Sequence, residues 1–386
     1  MSSAGLSSVQ LSLMMGPIVP TTVSADVIES LAEAEVHIDD VGQSGFQLTF
    51  SITKQSPLQT MFLLSGAGVP LLFMRVVLIA TVNGVANVLI DGVITNNSLA
   101  PGDKGSNSTL TITGKDLTAL MDQSDWSGFP YPACPPEARV AICCAKYAIF
   151  GVVPLVIPSI MIDVQLPIEQ IPTHKGTDYQ YIRQLAADVG YVFYIDPGPT
   201  PGMSKAYWGP QIKVGAEQPA LSIDMDAYTN VESMNFSFDQ EKNKIPVLYV
   251  YVAEAGVTVP IPIPPITPLN PPLGAVMGLP TNLLPPDLKP WSDEVSKLPI
   301  PQAIMQGLAQ ASANAEGVTC EGSLDVTRYG GILKARQLVG VRGAGPAFDG
   351  LYYVKNVTHK IKRGEYKQNF TLTRNGLVST VPSVNV

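Results

Sequence analysis

The sequence predicts a mainly β protein with an α+β insertion: two related antiparallel β-barrel, tube-like domains, an α/β insertion between them and a proline-rich arm. Three observations predict it. The stretch from Leu324 to Leu377 ends in a hairpin with one apolar and one wet face, Arg75 to Leu117 repeats its order of elements, and the chain between changes to helical spacing.

In the later stretch Tyr352 to Ile361 is rich in β-branched and aromatic residues, Lys362-Arg363-Gly364-Glu365 supplies the turn, and Tyr366 to Thr373 returns. On the return Tyr366, Phe370 and Leu372 point one way while Lys367, Asn369, Thr371 and Thr373 point the other. A two-stranded ribbon is marginal alone, so it belongs to a larger sheet or barrel. In the earlier stretch, Thr109 to Gly114 stands where Phe370 to Asn375 stands in the later one. An internal copy of this kind predicts two barrels.

Taken in order, residues 1–122 are expected to form the first barrel. Val9 to Leu13 and Ala34 to Ile52 are its opening strands, with a turn at Gly42 to Gly45 and His37 facing outward or satisfied in the strand. Residues 123–220 are the α/β insertion. Pro135-Pro136-Glu137 opens a helix carrying Cys143 and Cys144, and Thr177 caps a helix over Asp178 to Val189 that Gly190 ends. His174 falls in the loop before that cap, and Tyr191 to Ile195 is a strand. Residues 221–256 and 318–377 make the second, discontinuous barrel, with Val231 to Phe238 and Ile245 to Ala253 as a hairpin. Residues 257–317 are the proline-rich arm, which is unable to pair inside a sheet, followed by a short helix over Pro301 to Ala315; residues 378–386 are a tail.

Composition narrows the function. The chain has 386 residues, 46% hydrophobic, and a formal charge of −8. Residues 324–386 hold ten Lys and Arg against three Asp and Glu, net +7, which leaves −15 on the remainder. With no recognition helix beside the basic residues, the segregation points to charge complementarity between subunits or partners rather than to nucleic acid. Lys360, Lys362, Arg363 and Lys367 are the candidate contact surface. Gln55 to Met74 is uncharged, but Pro57, Gly66, Gly68 and Pro70 break it as a membrane span, so the apolar stretches at Met61 to Met74 and Val259 to Pro286 are candidates for subunit packing. The N-terminus lacks the positive region of a secretory signal.

No constellation of catalysis stands out. Gly340, Gly343 and Gly345 occur in the order G-x-x-G-x-G with no Lys-Ser or Lys-Thr after them, which reads as a turn between strands rather than a phosphate loop. Cys134, Cys143, Cys144 and Cys320 match neither a disulfide framework nor a zinc pattern, and no Cys has a His partner legible in sequence. Asp224, Asp226, Asp239 and Glu241 lack the spacing of a calcium loop. The expectation is no enzyme, no metal and no cofactor.

KARQLVGVRGAG, FDGLYYVKNVTHKIKRGEY and QNFTLTR, in Gly331 to Leu377, resemble the end of phage late-control D and VgrG-like hub proteins of contractile tails and injection systems. RVVLIATVNG, VLIDGVIT and LTITGKDLTALMD are similar to the corresponding part of their first barrel, and TDYQYIRQLAADVGYVFYID to the helix and strand between. The resemblance implies a homotrimeric baseplate hub whose six barrel units adapt a threefold spike to the sixfold inner tube. It implies as partners the hexameric tube protein, baseplate wedge proteins and a spike on a separate chain, since this sequence ends at Val386, with assembly in the bacterial cytoplasm. The alternatives are a secreted or surface β-barrel binding protein, which would be monomeric or dimeric, and a tail-associated peptidoglycan hydrolase.

Overall fold

Side chains that alternate apolar and polar along Gly45–Ile52, Ser108–Asp116 and Glu365–Arg374 bury every second residue, so each of these strands has a core face and a wet face. The computed structural model describes residues 9–52, 74–102, 107–159, 171–239, 246–252, 257–262, 270–274, 289–290, 307–308 and 316–380. In chain order the elements are β1 (Val9–Gly16), β2 (Thr21–Thr22), α1 (Ala25–Ser30), β3 (Leu31–Asp39), β4 (Gly45–Ile52), β5 (Arg75–Val82), β6 (Val85–Ala100), β7 (Ser108–Asp116) and α2 (Thr118–Met121). There follow α3 (Pro136–Ala145), β8 (Val152–Val156), α4 (Asp178–Asp188), β9 (Val192–Pro197), β10 (Ser204–Gly209), β11 (Glu217–Ser222), β12 (Val231–Phe238), β13 (Pro246–Val252), β14 (Val257–Pro262) and β15 (Lys289–Pro290). The chain closes with β16 (Val318–Asp325), α5 (Val326–Tyr329), β17 (Leu338–Arg342), β18 (Gly350–Lys362) and β19 (Glu365–Arg374).

The main sheet runs β12-β16-β19-β18-β3-β4-β7-β6-β5-β1-β2, with β17 on the first part of β18 and β11 beside β17. Its two halves follow one plan. β3-β4-β7-β6-β5-β1 in the first matches β12-β16-β19-β18-β17-β11 in the second, except that β11 pairs with β17 in parallel. Irregularities recur at matching places: Leu31/Glu33 on β3 and Val231/Ser233 on β12, then Ile94/Asn96 on β6 and Val354/Asn356 on β18. Bulges redirect a strand and end a pairing, so their repetition marks the same bend made twice.

Two closed barrels were the expectation, and the sheet overturns it: among the described residues no sheet closes into a barrel. The cause is β18. Beyond its bulge it takes β19 on one edge and β3 on the other, Asn356 opposite Asp39 through Lys362 opposite Glu33. That ladder fuses the halves into one open sheet, and their apolar faces share one core, from Leu13, Leu48, Phe50 and Ile112 to Val318, Tyr352, Phe370 and Leu372.

Two further expectations change. β12 pairs with β16 and not with β13, which joins β14 and β15 in a separate sheet. The sequence of β13, PVLYVYV, lacks the alternation that β12 shows. The first residues of the proline-rich arm are a strand, β14, at the edge of that sheet, the place where missing N–H groups are tolerated. Residues 61–73 of the apolar stretch, most of the arm and nearly all of Pro301 to Ala315 lie outside the described residues, while Met74, which ends the apolar stretch, is buried in the shared core.

The α/β insertion has a core of its own. Val140 and Cys143 of α3 pack with Ile182 and Leu185 of α4 and with Phe193 and Trp208 of the sheet β8-β10-β9. Thr177 caps α4 as expected: its hydroxyl accepts from the Gln180 N–H at 3.3 Å, and Gln180 Oε1 accepts from the Thr177 N–H at 3.4 Å. A buried ion pair ties insertion to sheet. Arg75 Nε and Nη2 donate to the two oxygens of Asp91 at 2.6 and 2.5 Å, Ser204 Oγ donates to Asp91 at 2.9 Å, and Arg75 Nη2 reaches the Gly202 carbonyl at 3.0 Å.

Asp91→Asn leaves the Arg75 guanidinium buried without its counter-charge. The expected cost is about 3–5 kcal/mol in urea unfolding, and a loss below about 1 kcal/mol would contradict this role for the pair.

Candidate functional site

The tip of the β18–β19 hairpin holds the four basic residues singled out from sequence. Lys360 stands opposite Lys367 on β19 and opposite Glu35 on β3. Lys362 Nζ lies 3.3 Å from Glu33, Lys367 Nζ lies 3.0 Å from Glu232 and 3.1 Å from Glu365, and Arg363 donates to the Glu29 carbonyl. The structure brings the four together but answers three of them within the chain. The surface they form is therefore a stripe of alternating sign rather than a basic patch, and solvent screens each exposed pair. Beneath the turn is a cleft of about 340 Å³ floored by Leu11, Ile28, Leu31, Ile361 and Tyr366.

A second group of charges sits where both halves of the sheet meet the insertion. Arg336 has a positive φ of 65°. That backbone aims its guanidinium at the carbonyls of Asp39 and Asp40, at Asp196 Oδ1 (2.9 Å) and over the ring of Tyr194 (3.9 Å to the centroid). Gln211 Nε2 donates to Asp40 Oδ2 at 2.8 Å. Nearby, Glu316 binds both Lys213 and Lys355. Burial, and then a hydrogen bond with the Asp39 carboxyl, push the Asp40 carboxyl up to about 7. Glu316, despite its burial, is held below the usual carboxylate range by the two lysines. Nothing in the local pattern of residues 334–338 announces Arg336, because its role depends on strands far off in sequence.

The third group lies inside the insertion. Cys143 on α3, His174 in the loop before α4 and Asp178 in the first turn of α4 are each at most 1% exposed. One donor atom from each lies within 4.8 Å of the others. Tyr131 Oη meets His174 Nδ1 at 3.0 Å and Cys143 Sγ at 3.5 Å. His174 Nε2 has no hydrogen-bond partner and faces Asp178 Oδ1 at 3.7 Å. Asp178 accepts from Lys146 Nζ at 2.9 and 3.1 Å and from Tyr147 Oη at 2.8 Å. Burial pushes the Cys143 thiol up to about 11 and lowers His174. In sequence His174 is a loop residue with no Cys near it; the fold brings Cys143 to it. The four-residue step from His174 to Asp178 across a helix start was the one sequence signal of the group.

No family model matches the sequence, and no curated protein is similar to it. Solved structures are. A tail protein from Neisseria meningitidis aligns over 96% of this chain and 98% of its own, with 13% identity and a TM-score of 0.62. The 43 kDa tail protein of a Shewanella oneidensis prophage aligns over 95% and 98%, with 12% identity and a TM-score of 0.61. A chain of the Francisella PdpA–VgrG complex aligns over 98% of this chain and 60% of its own, with 10% identity and a TM-score of 0.60. The likeness is one of fold: this chain folds as those tail and VgrG-complex proteins do. Among the described residues no helix is long and apolar enough to cross a membrane.

Because folded Asp40 keeps its proton up to about pH 7 while an unfolded Asp loses it near 3.9, this group's contribution to stability falls as pH rises between those values. Asp40→Asn imitates the protonated form. Urea midpoints of variant and parent should lie close at pH 4 to 5 and separate by pH 8, the variant being more stable by roughly 1–3 kcal/mol. A separation that does not change with pH would refute the assignment.

Proposed function

We propose that the protein is a structural, non-catalytic hub at the baseplate of a contractile phage tail or phage-like injection particle, and that three copies adapt a threefold spike to a sixfold inner tube. The fold shared with tail proteins supports the class of function. One observation carries the threefold reading. Beyond its bulge β18 is paired on both edges, by β19 and by β3. The equivalent stretch of β6, Asn96–Ala100, is paired by β7, and among the described residues nothing pairs its other edge. β12, the counterpart of β3, likewise has β16 on one side and no described strand on the other.

Each chain thus carries the two halves of a contact that it already makes once internally. Joining β12 of one copy to β6 of the next repeats the β3–β18 ladder between chains, and a head-to-tail contact of that kind closes into a ring when its rotation divides the circle. Three chains of two repeats give six like units, the match that a hexameric tube ring needs. Open strand edges of this kind otherwise invite uncontrolled pairing, so a designated partner fits them. Assembly in the bacterial cytoplasm, with wedge proteins outside the ring, completes the reading.

The internal ladder fixes the register between chains. Thr358 stands opposite His37, and their side chains meet at 2.9 Å. Aligned on the matching bulges, the proposed contact would set Ser98 opposite Ser237 in the same way. A Ser98→Cys/Ser237→Cys chain should oxidise to covalent dimers and trimers on a non-reducing gel, while Ser98→Cys with Ser233→Cys, out of register, should not. Monomer alone from the in-register pair, or equal yields from both, would refute the contact.

A further inference from the structure

The buried group in the insertion has the composition of a metal site, and one of its nitrogens lacks a hydrogen-bond partner while facing a carboxylate. Interior polar atoms are nearly always hydrogen-bonded, because nothing inside replaces the water they give up. His174 is 1% exposed, yet its Nε2 has no partner and points at a carboxylate oxygen 3.7 Å away. Two ligands of one tetrahedral zinc, at bond lengths of about 2.0–2.2 Å, stand roughly 3.4 Å apart. The gap between Nε2 and Asp178 Oδ1 is close to that, and too long for a hydrogen bond.

We propose that Cys143, His174 and Asp178 bind one divalent cation of the zinc class, through the Cys143 thiolate, His174 Nε2 and Asp178 Oδ1. The surroundings suit it. Tyr131 Oη already engages His174 Nδ1 at 3.0 Å, so the ring is oriented and its other nitrogen is the one left for an ion. Asp178 Oδ2 keeps Tyr147 Oη at 2.8 Å and Lys146 Nζ at 3.1 Å while Oδ1 turns to the metal. The Lys146 side chain, about a third exposed and lying over the Trp126 ring at 4.3 Å, can release its 2.9 Å bond to Oδ1. Binding displaces the thiol proton to solvent, so Zn²⁺ exchanges for one proton and the ligands contribute two negative charges. With thiolate, imidazole and carboxylate together, the donor set favours zinc over the oxygen-seeking magnesium and calcium.

The site joins α3 to the start of α4, and its role is to lock those helices together rather than to turn over a substrate. The three ligands are each at most 1% exposed. Sequence spacing concealed it, because Cys143 lies 31 positions before His174 with strand β8 between them.

The test uses the full chain, stripped with a chelator and titrated with Zn²⁺ and with Co²⁺ as a spectroscopic probe. The expected result is about one ion per chain, a thiolate-to-cobalt charge-transfer band, and a melting temperature raised by Zn²⁺. Cys143→Ser should remove the band and weaken binding by more than about 100-fold, while Cys144→Ser, buried beside it, should leave both unchanged. No stoichiometric binding, a cobalt spectrum without a thiolate band, or equal loss in Cys144→Ser would overturn the site. The parent spectrum decides the matter even if a variant fails to fold.

Discussion

The structure depends on the ladder between β3 and β18. Seven residue pairs, from Asn356 opposite Asp39 to Lys362 opposite Glu33, carry the first half of the chain into the second. One face of that ladder buries Ala34, Val36, Val357 and Ile361 in the common core. The other presents Glu33, Glu35, Lys360 and Lys362, whose alternating charge fixes which residue faces which. A slip by one residue would turn the apolar set to water, so the register is strongly specified. The two repeats share one sheet instead of packing apart, and the bends at their matching bulges separate the edges paired within the chain from those that no described strand pairs.

Around that seam the fold spends polar groups where apolar ones would have served for stability alone. Arg75 with Asp91, Arg336 with Asp196, and Glu316 between Lys213 and Lys355 all lie where the insertion or the second half meets the first. A buried charge pair such as Arg75 with Asp91 contributes little net energy but is intolerant of a wrong partner.

Much of this was legible in the sequence for a physical reason. Alternation marks strands because successive residues face opposite sides, and Thr177 with Gln180 marks a helix start because both side chains satisfy N–H groups that the helix leaves open. The copied order of elements could be seen as well. The partner of each strand could not, since period two records a strand's faces but not its neighbours: closure into barrels and the β12–β13 hairpin were inferred from adjacency in sequence, and β18 and β16 prevailed instead. Of the candidate residues, Lys360, Lys362, Arg363 and Lys367 do meet at one hairpin tip, whereas Glu33 and Glu232, which answer Lys362 and Lys367, come from distant strands. Arg336, and the company of Cys143 with His174 and Asp178, arise only from tertiary placement.

Association of two-repeat chains in threes is tested most directly by electron cryo-microscopy of the purified full chain viewed down the particle axis. The account predicts rings with three chains and six similar density lobes, in which β12 of each chain adjoins β6 of the next. Particles of one chain, or rings in which those two edges face solvent, would contradict it.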